Sequence, residues 1–292
     1  MNVEAAAHEW FMGHVRLTIE GFTARSTPAR LAGRIRGALG AALQDTASPA
    51  AIAGAPCTWT PPCALDLLFR TQGRITPALE VPKPWVIATT VEGDLLHVDV
   101  HLVGFASECL EEVSGAVVQA WRQRLPDARG SRIVDRRVWT TDRVEFPERA
   151  DAIVLAFHTP VEIRYRDGAP DSPAAAMWSL LASLGNRVSG LARWQDTELD
   201  ADFSALRESA RALSITGLFT EAEDWTRRSF RQNRVIPMQG VKPVLRIAGD
   251  LAPFLPWLAL GAVTHVGSHA ALGMGRYSLM VEGKMDAKEA TS

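Results

Sequence analysis

The stretch Leu260-Gly261-Ala262-Val263-Thr264-His265-Val266-Gly267-Ser268-His269-Ala270-Ala271-Leu272-Gly273-Met274-Gly275-Arg276-Tyr277 joins an apolar, helix-like run to a strand-like run that continues to Val281. Between the runs lie Gly267, Gly273 and Gly275, with His265 and His269. Glycine lets a backbone turn through positive φ and approach a ligand closely, and successive free amides in such a loop form a nest that suits phosphate. The spacing is neither G-x-G-x-x-G nor G-x-x-x-x-G-K-[ST], so it predicts neither a dinucleotide loop nor a P-loop. A purely structural connection is the competing reading, and the rest of the chain has to decide.

Working back from that loop, strands are expected at Ala152 to Phe157, Glu162 to Arg166, Arg234 to Met238 and Val244 to Ala248, with a last strand at Tyr277 to Glu282. Pro173 opens a long helix whose apolar face is Met177, Leu180, Leu181, Leu184, Val188 and Leu191. A second helix is expected over Phe203 to Leu213. In the first half, Val15, Leu17 and Ile19 alternate with His14, Arg16 and Thr18, the pattern of a half-buried strand. Thr27-Pro28 then starts a helix with Leu31, Ile35, Leu39 and Leu43 on its buried stripe. Short strands are expected at Ala64 to Phe69 and Pro84 to Thr90, and a longer one where Leu96, Val98, Val100 and Leu102 alternate with His97, Asp99 and His101. Glu108 to Leu125 reads as an amphipathic helix and Val134 to Phe146 as the closing strand. Each half then approximates β-α-β-β-α-β, so the expected fold is α+β with two tandem ferredoxin-like domains, residues 1–150 and 151–283, followed by a frayed tail at 284–292. Such sheets leave one face free of helices, and RNA-recognition domains use that face.

A chain of 292 residues accommodates two such domains, and its composition is that of a globular protein. The longest apolar run, Leu251 to Val266, is broken by Pro253 and Pro256, so no membrane span is expected. Three cysteines suggest no disulfide framework, and Met1 to Trp10 lacks a basic leader, so a cytoplasmic protein is expected. Cys57 and Cys63 bracket Thr-Trp-Thr-Pro-Pro, a spacing poorly suited to zinc. His97-x-Asp99-x-His101 admits a metalloenzyme reading, but the polar face of an antiparallel strand is the favoured explanation. The net charge of −2 argues mildly against a nucleic-acid binder. Against that, Arg227, Arg228, Arg231, Arg234, Lys242 and Arg246 occupy one segment with no acidic residue among them. Arginine binds phosphate bidentately and stacks on bases.

Several blocks resemble a family, the CRISPR precursor-RNA-processing endoribonucleases of the RAMP superfamily. They are Phe157-His158-Thr159-Pro160-Val161, Arg228-Ser229-Phe230-Arg231-Gln232, Gly249-Asp250-Leu251-Ala252-Pro253-Phe254-Leu255-Pro256, and the loop from Thr264 through Gly267 to Tyr277. Arg36-Gly37-Ala38 and Val103-Gly104-Phe105-Ala106 are consistent with it. Where the family often has Gly-Lys-Gly-Thr, this chain has Gly267-Ser268-His269-Ala270, and the usual Gly-x-x-Gly reads Gly240-Val241-Lys242-Pro243.

The resemblance implies cleavage of precursor CRISPR RNA within its repeats without a metal or other cofactor. The RNA's own 2′-OH attacks, leaving a 2′,3′-cyclic phosphate and a 5′-OH. The implied partner is the CRISPR repeat RNA, as precursor and as mature guide, with other CRISPR effector subunits as further partners and no membrane. A base, an acid and cations are needed, and histidine suits either proton role. The candidates are His265, which matches the family's loop histidine, then His14 beside Arg16, then His269. A capping role for His265 and a surface role for His14 are the competing readings. Expected RNA contacts are Arg231, Arg234, Lys242, Arg246 and Arg276, the backbone of Gly267, Gly273 and Gly275, and more weakly Arg34 and Arg36. The alternative function is a non-catalytic RAMP subunit that binds guide RNA in an effector complex.

Overall fold

The computed structural model describes residues 1–23, 26–77, 79–125, 128–163, 173–229 and 234–282. Its elements are α1 (Val3–His8), β1 (Met12–Glu20), α2 (Pro28–Leu43), α3 (Pro49–Ile52), α4 (Ala64–Phe69), β2 (Arg74–Thr76), β3 (Leu79–Glu80), β4 (Trp85–Glu92), β5 (Leu95–Val103), α5 (Leu110–Gln119) and β6 (Arg132–Thr141). There follow β7 (Ala152–Phe157), α6 (Pro173–Ala192), α7 (Phe203–Arg211), β8 (Ser214–Ser229), β9 (Arg234–Ala248), α8 (Leu255–Thr264) and β10 (Tyr277–Val281). Among the described residues no helix is long and apolar enough to cross a membrane.

Two antiparallel four-stranded sheets organise the chain, in the orders β4-β5-β1-β6 and β10-β7-β9-β8. Both are the ferredoxin-like order, the first strand of each unit lying between the third and the fourth. In the first sheet the apolar residues of β1 and β5 point to one side. There Val15, Leu17, Val98 and Val100 meet Leu31, Ile35 and Leu39 of α2 and Val113 and Val117 of α5. Burying each such side chain contributes roughly 1.5–3 kcal/mol. The opposite face keeps the polar set. In the second unit, Ile153, Leu155 and Phe157 of β7 pack with Leu181, Leu184 and Val188 of α6 and with α8. That helix is buried almost all round, as its uniformly apolar sequence requires. Trp10 and Met12 pack into this second core although they precede the first sheet's centre in sequence.

Three expected elements differ. Ala64 to Phe69 is helix, not strand. Periodicity cannot separate short apolar runs, and here Arg70 Nε donates to Asp66 Oδ1 at 2.5 Å while the buried Trp85 indole donates to the Leu68 carbonyl at 2.9 Å. Glu162 and Ile163 lie outside any strand, Val161 forming one bridge to Val241, and 164–166 are outside the described residues. The expected short strands at 234–238 and 244–248 are one strand, β9, paired with β8 from Ser214↔Ala248 to Ser229↔Arg234 with one register shift between Gly217 and Phe219. β8 gave no signal because most of its described side chains are exposed, so no apolar alternation marks it. Pro237 and Pro243 are tolerated because β7 pairs with β9 only over Val244–Ala248, and beyond it the Val161–Val241 bridge leaves both prolines outside the ladder on that side. This long hairpin crosses to the first unit. Thr27 Oγ1 donates to Glu223 Oε1, Arg30 donates to the Asp224 carbonyl at 2.9 Å, and the Arg30 guanidinium lies 5.9 Å from the Trp225 ring centre.

Candidate functional site

The polar face of the first sheet is assembled by register. His14 of β1 lies opposite His101 of β5 and Trp139 of β6, and Arg16 lies opposite Asp99 and Arg137. The His14 ring stacks on Trp139, with centres 4.9 Å apart and planes 5° apart, and meets His101 edge-on at 4.6 Å. Neither ring nitrogen of His14 has a hydrogen-bond partner among the described residues. Burial, then the neighbouring His101, push its pKa down to about 4, against a smaller opposing pull from Asp99. The imidazole is therefore neutral near pH 7. Arg16 is held by Asp99 through two bonds, at 2.6 and 3.2 Å, which fixes its fork while leaving the side chain 44% exposed.

The end of α8 and the glycine loop dock on this face. His101 hydrogen-bonds the Val263 backbone, and its charged form is disfavoured, chiefly by burial. Arg276 reaches across to Thr90 Oγ1 at 2.7 Å and the Thr89 carbonyl at 3.2 Å, while its own amide receives Thr159 Oγ1 as acceptor at 2.9 Å. Burial lowers its pKa. His265 caps α8 and is only 2% exposed. Burial, with His101, Arg187 and Arg276 nearby, holds its pKa well below the usual range. Its backbone, φ 60 and ψ 169, occupies a region that essentially only glycine adopts freely, a cost of about 1–3 kcal/mol. Arg187 Nε donates to the Thr264 carbonyl at 2.8 Å and so completes the cap.

The glycines are required by packing. A Cβ on Gly275 would sit 1.8 Å from the Val266 carbonyl oxygen, and one on Gly273 would sit 2.5 Å from Ala32 Cβ of α2. A Cβ on Gly267 would lie 2.6 Å from the Glu162 carbonyl, and all three glycines have positive φ. The expected nest of free amides is not what forms at two of them. Gly273 N–H is spent on the Ala270 carbonyl and Gly275 N–H on the Pro160 carbonyl. His269 Nε2 lies 3.4 Å from Glu162.

The expected unopposed basic segment is corrected by β8. Lys242 Nζ lies 2.8 Å from Glu221 and 3.9 Å from Glu223, both across the hairpin, and Arg246 makes a fork to Glu282 at 2.6–3.1 Å. Hairpin pairing for Lys242, and the residue following β10 for Arg246, brought in acidic partners that adjacency in sequence did not show. Arg36 is correspondingly not an open cation. Its guanidinium lies 4.8 Å from the Phe69 ring centre, and burial lowers its pKa to about 10. Arg34 and Arg234 are exposed, and Arg231 lies outside the described residues. Sequence reasoning missed Trp139 and the pairing of Asp99 with Arg16; the register of β6 against β1 for the first, and of β5 against β1 for the second, is the signal that could have found them.

Residues 155–277 match the family model described as CRISPR-associated endoribonuclease Cas6, and residues 11–154 match an N-terminal domain model. Among solved structures, a Thermus thermophilus Cas6 is similar at 12% identity over 93% of this chain and 99% of that one, with a TM-score of 0.53. A Cas6 product complex is similar at 16% identity over 92% and 99%, with a TM-score of 0.52. A partial Cas6-RT-Cas1–Cas2 complex is similar at 12% identity over 94% of this chain and 47% of that one, with a TM-score of 0.53. These likenesses show the fold. No curated protein matches the sequence.

Proposed function

We propose, from the match of residues 155–277 to the CRISPR-associated endoribonuclease Cas6 model, that the protein cleaves precursor CRISPR RNA within its repeats, at the polar face of the first sheet. The observation that carries the location is His14: an imidazole neutral near pH 7, with both nitrogens unpartnered among the described residues, on the same strand face as the forked Arg16. In this reading a nucleobase takes the place of Trp139 against His14, because aromatic rings stack on unpaired bases. The uncovered imidazole accepts the 2′-OH proton. The 2′-oxygen attacks the adjacent phosphorus, the P–O5′ bond breaks, and the 5′-oxygen takes up a proton. Arg16 offsets charge growing on the phosphate, pre-oriented by Asp99. The substrate supplies its nucleophile, so no serine or cysteine is required. His265 holds α8 and the glycine loop in place, and the cleaved RNA stays bound as the mature guide.

The test uses an end-labelled repeat RNA with the wild-type protein, His14→Ala and His265→Ala, in excess EDTA, and a substrate carrying 2′-deoxy at the scissile nucleotide. The expected result is cutting by wild type in EDTA, none of the deoxy RNA, and a His14→Ala protein that retards RNA in a gel without cutting it. Tight binding with no cutting by wild type would establish the RNA-binding subunit instead.

A further inference from the structure

The loop Cys57 to Cys63 lies away from the polar face and serves none of the chemistry above. Its two cysteines are in contact. The Cys63 amide donates to Cys57 Sγ at 3.5 Å, and the Cys63 thiol and the Trp59 amide also point at that sulfur. The buried Ser48 hydroxyl is a further donor to it. Cys57 is anchored from its other side, its own amide donating to Asp66 Oδ1 at 3.2 Å, and Asp66 is in turn bound by Arg70. Cys57 is partly exposed, whereas Cys63 is buried behind it. A sulfur ringed by donors, open to solvent and backed by a second thiol, is the arrangement of an attacking and a resolving cysteine.

The geometry points to Cys57 and Cys63 as a reversible thiol–disulfide site that reacts with low-molecular-weight disulfides such as oxidised glutathione. The Cys57 thiolate attacks one sulfur of the small disulfide, whose S–S bond breaks and releases one thiolate. Cys63 then loses its proton to solvent and attacks the Cys57 sulfur, releasing the second thiol. Two protein thiols are oxidised and one external disulfide is reduced to two thiols. The donors support the first step. Burial raises the Cys57 pKa, but the hydrogen bonds, led by the Cys63 amide, outweigh it and bring the value down to about 7. Cys109 is the internal contrast, being buried, with burial and the neighbouring Glu112 and Glu108 pushing its thiol up to about 12.

The test treats the native protein with oxidised glutathione, quenches with iodoacetamide and maps the peptides. The expected product joins Cys57 to Cys63 with loss of two hydrogens, leaves Cys109 free, and reverts with dithiothreitol. Cys63→Ser, which puts a favoured N-cap residue at the start of α4, should instead retain glutathione on Cys57. Iodoacetamide alone should alkylate Cys57 near pH 7 about fivefold faster than the same residue in the urea-unfolded chain, the larger thiolate fraction being partly offset by lower nucleophilicity. An unreactive Cys57, prior reaction at Cys109, or a wild-type adduct that Cys63 does not resolve overturns the proposal. None of these readouts depends on RNA cleavage.

Discussion

The glycine loop and the polar face of the first sheet touch each other, yet they use their residues in opposite ways. The loop carries the more conspicuous sequence, but it spends its glycines on close approach, the Gly273 and Gly275 amides on the Ala270 and Pro160 carbonyls, and its histidine on a buried cap. The sheet face has an ordinary alternating sequence, but it sets side by side a buried imidazole unpartnered among the described residues, an oriented arginine and an exposed tryptophan. A conspicuous motif here marks where the chain must fit tightly, and an inconspicuous one marks where polar side chains are held together without full pairing among the described residues.

The comparison breaks first if the chemistry sits in the loop. His14→Ala should lower the single-turnover cleavage rate about 10²–10⁴-fold, the usual range for a lost general base, with RNA affinity nearly unchanged; retained cleavage would move the site elsewhere. Gly275→Ala should cost about 3 kcal/mol or more in urea unfolding, combining a backbone clash with positive φ. Gly37→Ala, in α2 with nothing within 4 Å of the added carbon, should be neutral or gain about 0.5–1 kcal/mol.

Acid should act on the boundary between the two regions. His14, His101 and His265 all have pKa values lowered from 6.5 by burial. The unfolded chain therefore binds protons that the folded chain refuses. Stability is fully present above about pH 6.5 and is lost as pH falls through that value towards 4, for His14. The urea midpoint should drop between pH 7 and pH 5, and His14→Gln should flatten that slope; an unchanged slope would mean that His14 titrates normally.

Two smaller effects sharpen the contrast. His265→Gly should be about 1–2 kcal/mol more stable than His265→Ala in urea, because glycine alone relieves the strained backbone. Lys242→Ala should change RNA affinity less than about twofold, since Glu221 already neutralises that charge, whereas a tenfold loss would show that RNA displaces the pair.

The legible parts of the fold were those where one face is dry. The stripe Leu31, Ile35, Leu39 and the alternation Val15, Leu17, Ile19 identified α2 and β1, because burial repeats with the period of the element. The hairpin β8–β9 was half missed, since its far part packs only on the small cluster of Met238, Leu272 and Met274, with Trp225 and Ile236, and most of its other described side chains are exposed, so no repeating trace is left. At the site, His14 and Arg16 were named from one strand, but Trp139 and Asp99 come from strands far along the chain. Lys242 and Arg246 were read as open cations because their acidic partners are also distant in sequence.

By itself, the sequence determined the tandem βαββαβ order, the two helical stripes, and the residues 155–277 that match the Cas6 model; each depends on local periodicity or on a contiguous motif. Only the tertiary structure decided which polar groups find partners and which are buried without one. His265 was enclosed when α8 docked on the first sheet, Lys242 and Arg246 gained carboxylates, and both ring nitrogens of His14 were buried without a partner among the described residues. Burial and pairing are properties of what lies opposite in space, and no single strand carries that information.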